Sequence, residues 1–371
     1  MKKRMILVTN IDGESGTNNP IFTELKKHWD NVERIDPYQH SYARELFLIV
    51  KSFKFNREKW RLNYHDMSGA YRRSPLAFKR RTKVCETKLG KITGKYNVIF
   101  QTSSLLVPPE SKPKIPFAIY LDRTLKMNER YSPEVLKTYN SDESKSLHNL
   151  HKKTFDMADR IFTFNDATNH SLINDYHVNN SKIINVGSGV NLKSLPDFDK
   201  NDSNLILTVC SNFERQKGQL SLDAFMLVKD KLPHAKFMLV GKKLEKDDDD
   251  QINSVSSLPY ERLLELYLKA TIVIQPGPLG GLQTITEAMA NKCICIAHAD
   301  NPYIPGLIHD NENGFLVHTN NAQEIAGLIS TILNNDELKK SVGQKAYQHI
   351  VDNYTWESVV TKISNNLKKI V

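Results

Sequence analysis

A chain of 371 residues is too long for one core of ordinary size and predicts two domains. Its 40% hydrophobic and 25% charged residues are typical of a globular protein, and its apolar runs are only as long as strands, which excludes a membrane-spanning helix. Of the net charge of +9, residues 51–95 carry fourteen Lys/Arg against three Asp/Glu, so one segment holds a surplus of +11 and the remainder sums to −2.

The first half of the chain alternates predicted strands and helices. The basic N-terminus leads into an apolar run too short for a signal peptide, so we interpret it as a first strand. A turn-rich loop follows, and Asn19 and Pro20 predict the N-cap and first residue of a helix. The predicted strands of this half are 5–9, 96–101, 117–121, 160–163 and 181–186.

The second half repeats the alternation. Its predicted strands are 205–210, 236–240, 271–275, 293–297 and 315–317, and its predicted helices are 219–231, 260–268, 284–291, 322–333 and 336–353. Strands separated by helices indicate parallel sheets covered on both faces. We therefore predict an α/β protein of two doubly wound domains, with a linker near 192–204 that is rich in Asp and Asn.

The four cysteines predict neither a disulfide framework nor a metal site. Cys293 and Cys295 alternate with isoleucines, as residues of a buried strand do, and no partner stands at zinc-ligand spacing. We expect a cytoplasmic protein.

Ligands of doubly wound domains bind beyond the carboxyl ends of the strands, and three turns in the second half follow strands there. In the first, Lys217-Gly218 opens a helix. A lysine at a helix N-terminus either binds a phosphate group or is simply exposed to solvent. In the second, Gly280, Gly281 and Leu282 lead into the helix that contains Glu287. That carboxylate is either a structural acid or an acceptor for the hydroxyls of a ribose. The third turn, 310–314, predicts a structural role.

The order and spacing of these pieces resemble a known family. Ser211…Lys217-Gly218, then Glu287-Ala288-Met289-Ala290, then Asn313-Gly314-Phe315-Leu316-Val317, is similar to the C-terminal domain of the retaining GT-B glycosyltransferases of family 4. The resemblance covers roughly residues 155–371. It implies two Rossmann-like domains facing across a cleft, residues 1–195 for the acceptor and 196–371 for the nucleotide sugar. The last helix, about 355–371, would cross back to the first domain.

The resemblance also implies roles for individual residues. Lys217, Arg215 and Asp122 would be catalytic, with Lys217 on the donor diphosphate. Glu287 would bind the ribose, and the donor would also contact a set of loop residues: Gly13, Gly16, Asn212, Gly280, Gly281 and Leu282. No metal is implied, and the nucleotide sugar is a substrate rather than a cofactor.

Three positions depart from the family pattern. Asn212 stands where the family has Arg, with Arg215 nearby, and Leu279 and Leu121 replace a Glu and a His. The sequence therefore predicts a retaining glycosyltransferase of bacterial surface polysaccharide or glycolipid assembly, with a saccharide or lipid-linked acceptor. The alternative is a catalytically impaired GT-B protein that binds a nucleotide sugar or a partner without turnover.

The basic segment 51–95 allows two interpretations. It is either a solvated face or a surface that attaches the protein peripherally to an anionic membrane, with apolar side chains among its cations. The apolar residues of that second interpretation are Phe53, Phe55, Trp60, Leu62, Leu76 and Phe78. We do not expect nucleic acid as a partner, because no known binding motif accompanies the charge.

Overall fold

A computed structural model describes residues 4–9, 18–38, 42–92, 95–104, 106–108, 115–131, 140–192, 200, 203–245, 249–278 and 280–371. The chain divides into two compact units. The first unit contains Met1–Val186 together with Val360–Val371, and the second contains Gly187–Val359. Each unit is built on a six-stranded sheet in which all pairings are parallel.

The first unit has the strand order β2-β1-β3-β4-β5-β6. Its strands are β1 Arg4–Val8, β2 Asn31–Ile35, β3 Val98–Thr102, β4 Phe117–Leu121, β5 Arg160–Thr163 and β6 Ile183–Asn185. Its helices are α1 Asn18–His28, α2 Tyr42–Ser52, α3 Arg57–Arg73, α4 Pro75–Leu89, α5 Leu125–Tyr131, α6 Ser141–Met157 and α7 Asp166–Tyr176. Local sequence explains where two of these helices begin. Ser74 caps the N-terminus of α4, with Pro75 as its first residue, and Asn140 and Glu143 form a capping box at the N-terminus of α6.

The second unit has the strand order β12-β11-β10-β7-β8-β9. Counted within the unit, this is the order 3-2-1-4-5-6 of dinucleotide-binding domains, with the reversal between β7 and β10. Its strands are β7 Leu205–Val209, β8 Lys236–Val240, β9 Ile252–Val255, β10 Ile272–Gln275, β11 Ile294–His298 and β12 Phe315–Val317. The helices are α8 Gly218–Met226, α9 Tyr260–Lys269, α10 Leu282–Ala290, α11 Ala322–Leu333 and α12 Asp336–Asn353. The final helix, α13 Trp356–Leu367, begins in the second unit and ends in the first.

Burial on both faces explains why the central strands of the second sheet are apolar throughout. Ile294 and Ile296 of β11 join a core with α8 and α11, whereas Cys295 and Ala297 join a core with α10 and α12. Cys293 precedes the strand and is also completely buried. The interpretation of both cysteines as buried residues at a strand is therefore confirmed. Among the described residues, no cluster of His, Cys, Asp and Glu could hold a metal ion.

The structure confirms two Rossmann-like doubly wound domains and corrects several elements. Strands β2 and β9 were not predicted, and the basic segment largely forms α3 and α4. The first helix begins at Asn18, so Asn19 lies inside it and is not its N-cap. The helix predicted at 219–231 ends at Met226 and is followed by a 3₁₀ turn, Lys229–Lys231.

Candidate functional site

The turn between β7 and α8 is held by a buried glutamine. Gln216 is 3% exposed, and its Oε1 accepts hydrogen bonds from Ser211 Oγ at 3.0 Å and from the Asn212 backbone N–H at 2.9 Å. Asn212 in turn accepts from the backbone N–H of Arg215 at 2.9 Å. The amide of Asn212 therefore stabilises the turn, and the side chain of Arg215 is exposed.

This turn places Lys217 at the N-terminus of α8. Lys217 is the N-cap residue at φ 53°, a left-handed conformation, and its ammonium donates to Asn320 Oδ1. The next position, 218, requires glycine because a Cβ there would lie 2.4 Å from the Phe213 ring. The predicted lysine at a helix N-terminus is thus present and half-buried, and in the turn beside it the backbone N–H groups of Gly218 and Leu220 donate to the carbonyl oxygens of Phe213 and Lys217.

The loop between β10 and α10 contacts the first turn through its glycines. A Cβ on Gly277 would lie 2.6 Å from Gln216 Cα, and one on Gly280 would lie 3.1 Å from Gln216 Nε2. Gly280 and Gly281 have φ of 87° and 79°, which L residues rarely adopt, and Gly281 caps α10. The two loops that flank the reversal of strand order therefore meet.

Residues after β11 complete the same edge of the sheet. The Asn301 side chain is fully buried and donates to the carbonyl oxygens of Gly280 at 2.9 Å and Gly277 at 3.3 Å. Two buried side chains at this edge are among those of the described residues that have polar atoms without a hydrogen-bond partner: both amide atoms of Gln275 and Nε2 of His298. Buried polar groups are normally satisfied, so these atoms indicate space for a ligand or water at the carboxyl ends of β10 and β11.

Glu287 projects from α10 into a buried environment. It is 4% exposed, and Tyr260 Oη donates a hydrogen bond to its Oε1 at 2.7 Å while lying 3.1 Å from the Asn191 carbonyl oxygen. Burial raises the pKa of Glu287 to about 7, against the lowering effect of the Tyr260 hydrogen bond. The carboxylate is therefore held in a fixed orientation and changes charge near neutral pH.

The remaining predicted residues lie elsewhere or outside the described residues. Asp122 follows β4 in the first unit, and its carboxylate accepts from Arg123 Nε at 2.8 Å. Leu121 is 1% exposed and belongs to the core of that unit. Gly13, Gly16 and Leu279 are outside the described residues.

The third turn has the predicted structural geometry. Asp310 Oδ1 accepts from the Leu316 backbone N–H at 2.8 Å, and Asn313 Oδ1 accepts from the His309 backbone N–H at 2.7 Å. Gly314 passes the Cys295 carbonyl oxygen so closely that a Cβ would lie 3.0 Å from it. These contacts fix the chain where it enters β12.

The sequence predicted the two glycine-bearing turns and Glu287, but not Gln216, Tyr260, Gln275, His298 and Asn301. Gln275 and His298 carried a signal, since each is a polar residue at the end of an apolar strand. The other three are identified only by contacts between distant parts of the chain.

Known proteins resemble this chain in sequence and in fold. Residues 193–349 match the family model for glycosyl transferases group 1. Sucrose-phosphate synthase of Thermosynechococcus elongatus superposes with a TM-score of 0.66 at 15% identity, covering 100% of this chain and 99% of that chain. Anabaena HepE in complex with UDP superposes with a TM-score of 0.58 at 13% identity, covering 99% of this chain and 100% of that one.

The structural matches show the GT-B fold of two Rossmann-like domains, and the family-model match lies within the second unit. The poly(ribitol-phosphate) alpha-N-acetylglucosaminyltransferase of Staphylococcus aureus is 38% identical over 86 residues, which is 23% of this chain and 17% of that protein. The chain spans between 17% and 56% of the length of the curated relatives that it matches.

Proposed function

We propose that the protein transfers a sugar from a nucleoside-diphosphate sugar to a saccharide or lipid-linked acceptor, with retention of the anomeric configuration and without a metal. The observation that carries this proposal is the meeting of the Lys217 turn and the Gly280-Gly281 loop at the reversal of strand order in the second unit. Ligands of doubly wound sheets bind at that position. The resemblance to family 4 supports retention.

The chemistry assigned to the site is stabilisation of the leaving diphosphate. As the glycosidic bond to phosphate breaks, negative charge grows on the diphosphate oxygens. The Lys217 ammonium and the N-terminus of α8 offer positive potential for that charge, as a metal does in other enzymes. Glu287 would accept hydrogen bonds from the ribose hydroxyls, and the unpartnered amide of Gln275 would offer a further contact.

A uridine nucleotide is the first donor to test, because HepE was crystallised with UDP. The similarity to the poly(ribitol-phosphate) enzyme favours an acceptor of bacterial surface polymer assembly. The test is release of nucleoside diphosphate from a panel of nucleotide sugars, with Lys217→Ala as the variant. We expect turnover to fall by about 30- to 1000-fold, corresponding to a loss of about 2–4 kcal/mol. Lys231→Ala, an exposed lysine of the same unit, is the matched control.

A GT-B protein that binds without turnover is the second candidate. Two observations favour it: Asn212 uses its side chain within the turn, and Leu121 is buried in the core. Thermal stabilisation by a nucleotide sugar without any release of nucleoside diphosphate, across the panel and several acceptors, would establish this candidate. Normal turnover in Lys217→Ala would instead remove the catalytic assignment of that lysine.

We also propose that the first unit binds anionic membranes peripherally, on the cytoplasmic face. In α2, Leu46, Ile49 and Val50 form an exposed apolar stripe at helical spacing, and the exposed Phe53 and Phe55 follow the end of the helix. Phe55 is fully exposed, at 101%, with its ring 5.5 Å from that of Phe53. An exposed apolar surface of this kind marks an interaction site.

Cations surround this apolar stripe and favour an anionic lipid surface as its occupant. The exposed ones nearest in sequence are Lys51, Lys54, Arg57, Lys59 and Arg61. Each would contribute about 1 kcal/mol near an anionic bilayer, and the contribution falls with salt. Phe78 is buried and is not part of this surface, and the side chain of Leu62 is outside the described residues. No helix in the described ranges is long and apolar enough to span a membrane.

Vesicle co-sedimentation tests the membrane proposal. We expect binding to vesicles rich in phosphatidylserine, weak binding to phosphatidylcholine, and loss in the double variant Phe53→Ser/Phe55→Ser. The control is Met226→Ser/Leu227→Ser, which removes two exposed apolar side chains, at 47% and 48%, from the second unit. Equal binding to both lipids, or concentration-dependent dimerisation that the Phe variant abolishes, would contradict the proposal.

A further inference from the structure

The side chain of Lys217 has a neutral partner in a separate loop of the second unit. Its ammonium donates to Oδ1 of Asn320, which lies between the end of β12 and the start of α11. An ammonium group has three N–H donors and no acceptor, so the oxygen of this amide must face Lys217. The contact holds the ammonium and uses only one of its three donors.

The positive charge of Lys217 is not cancelled by this partner. The carboxylate nearest in sequence, Glu214, lies 3.4 Å from Nζ of Lys242 instead. Among the described residues, Lys217 forms no ion pair. An amide oxygen orders a lysine by a hydrogen bond but carries no net charge. The full charge of the ammonium therefore remains for a phosphate group.

The loop that contains Asn320 is itself held in place. Glu324, in the first turn of α11, accepts hydrogen bonds from the backbone N–H groups of His318 and Thr319, each at 3.2 Å. The residue after Asn320, Asn321, is the N-cap of α11. Asn320 thus lies between two fixed neighbours, which gives its amide a defined position.

The packing of two helices explains why these distant residues meet. Helices α8 and α11 lie side by side on one face of the second sheet, with Phe225 and Ile325 in the same core. Both helices begin at the carboxyl edge of the sheet, because α8 follows β7 and α11 follows β12. Lys217 and Asn320 therefore meet at the same edge of the sheet as the Gly280-Gly281 loop.

We propose that Asn320 is a positioning residue that holds the Lys217 ammonium where it contacts the diphosphate of the nucleotide sugar. This inference rests on the diphosphate site of the proposed function. A lysine side chain has many rotamers, and a ligand that must order it binds more weakly than one that finds it already ordered. The opposite role, in which Asn320 keeps the ammonium away from the ligand, predicts tighter binding when Asn320 is removed.

Calorimetric titration of the whole chain tests this, with whichever of UDP, ADP and GDP binds the unmodified protein most tightly. We expect Asn320→Ala to weaken that binding by about three- to tenfold, because the ligand must then order the lysine. Asn334→Ala is the matched control and should bind normally. It removes an exposed asparagine at the other end of α11, together with its hydrogen bond to the Ser330 carbonyl oxygen.

Asn320→Asp separates the charge of Lys217 from its position. An aspartate can still hold the ammonium, but it cancels the charge, so we expect affinity to fall by at least about tenfold. A carboxylate beside the N-terminus of α11 favours that helix, so the melting temperature should not fall. The loss of affinity in this variant would therefore not result from unfolding.

A double-mutant cycle shows whether Asn320 acts through Lys217. In the Lys217→Ala background, Asn320→Ala should change the affinity by less than about twofold, because the group that it positions is absent. Unchanged or tighter binding in Asn320→Ala, or an equal loss with and without Lys217, would overturn the inference. A protein that binds none of the three nucleotides at millimolar concentration would overturn it as well.

Release of nucleoside diphosphate from the panel of nucleotide sugars separates this inference from the proposed function. If affinity falls as expected and the unmodified protein shows no turnover, sugar transfer is refuted and the role of Asn320 stands. If Asn320→Ala keeps both normal turnover and normal affinity, the role of Asn320 is refuted and sugar transfer stands.

Discussion

Replacing Glu287 by glutamine should make the ligand-free protein more stable and its nucleotide binding weaker. Burial that raises the pKa of Glu287 from 4.5 to about 7 makes its ionised form less stable in the fold than in the unfolded chain by about 3 kcal/mol. The folded-state pKa is the higher one, so this cost is absent below pH 4.5, grows between pH 4.5 and 7, and is complete above pH 7. Glutamine has the same shape and carries no charge.

The expected gain in the free energy of unfolding for Glu287→Gln is therefore up to about 3 kcal/mol at pH 8 and much smaller at pH 5. Tyr260 can still donate to the amide oxygen, so the local geometry should remain. Hydrogen exchange of peptides from α10 measures the free energy of unfolding of the second unit alone. Glu261→Gln, at an exposed residue of α9, is the control and should leave the free energy of unfolding unchanged at both pH values.

The functional half of the same prediction is a loss of affinity for UDP. A carboxylate can accept from both ribose hydroxyls, whereas an amide presents one oxygen and one donor group. A hydrogen bond to a charged group contributes about 1.5–3 kcal/mol, so we expect affinity to fall by about 10- to 100-fold at pH 8 by calorimetry. Unchanged stability at pH 8 would refute the argument from burial, and unchanged affinity would make Glu287 a structural acid.

Three further changes test how the site is held. Tyr260→Phe removes the hydrogen bond that lowers the pKa of Glu287, so the fall in UDP affinity on acidification should begin at a higher pH; an unaltered pH profile would contradict this. Asn301→Ala leaves the Gly277 and Gly280 carbonyl groups without their donor, so it should lower the free energy of unfolding by about 1–3 kcal/mol and weaken UDP binding. Normal UDP binding would mean that the loop keeps its conformation without Asn301. Gly277→Ala places a methyl group against the Gln216 backbone and should cost about 1–3 kcal/mol, while Gly327→Ala, whose Cβ would meet nothing within 4 Å, should not destabilise.

The sequence predicted most of the second unit because its strands are apolar on both faces and its turns contain glycine. Strands β2 and β9 were missed because each is an edge strand with a short and partly polar sequence, Asn-Val-Glu-Arg-Ile and Ile-Asn-Ser-Val. Helix α2 was missed because it and the residues after it carry their apolar stripe outward, so the stripe could not be assigned to a core.

The candidate site was predicted only where local sequence determines its geometry. Lys217 lies in a turn whose glycine and preceding strand are visible in sequence, and Glu287 lies in a helix of small residues. Tyr260 and Asn301 act through contacts with residues more than 20 positions away, which no local pattern encodes. The domain boundary at 195 and the roles of Lys217, Arg215 and Asp122 stay predictions.

The return of the final helix to the first unit affects the order in which the protein can fold on the ribosome. Residues 360–371 belong to the first unit, where Ile363 and Leu367 are fully buried and Ser364 Oγ accepts a hydrogen bond from Trp29 Nε1 at 3.3 Å. The second unit is continuous in sequence and is synthesised in full before residues 360–371 of the first unit. The first unit emerges earlier but must wait, with the indole of Trp29 lacking its partner, until residue 364 has left the exit tunnel.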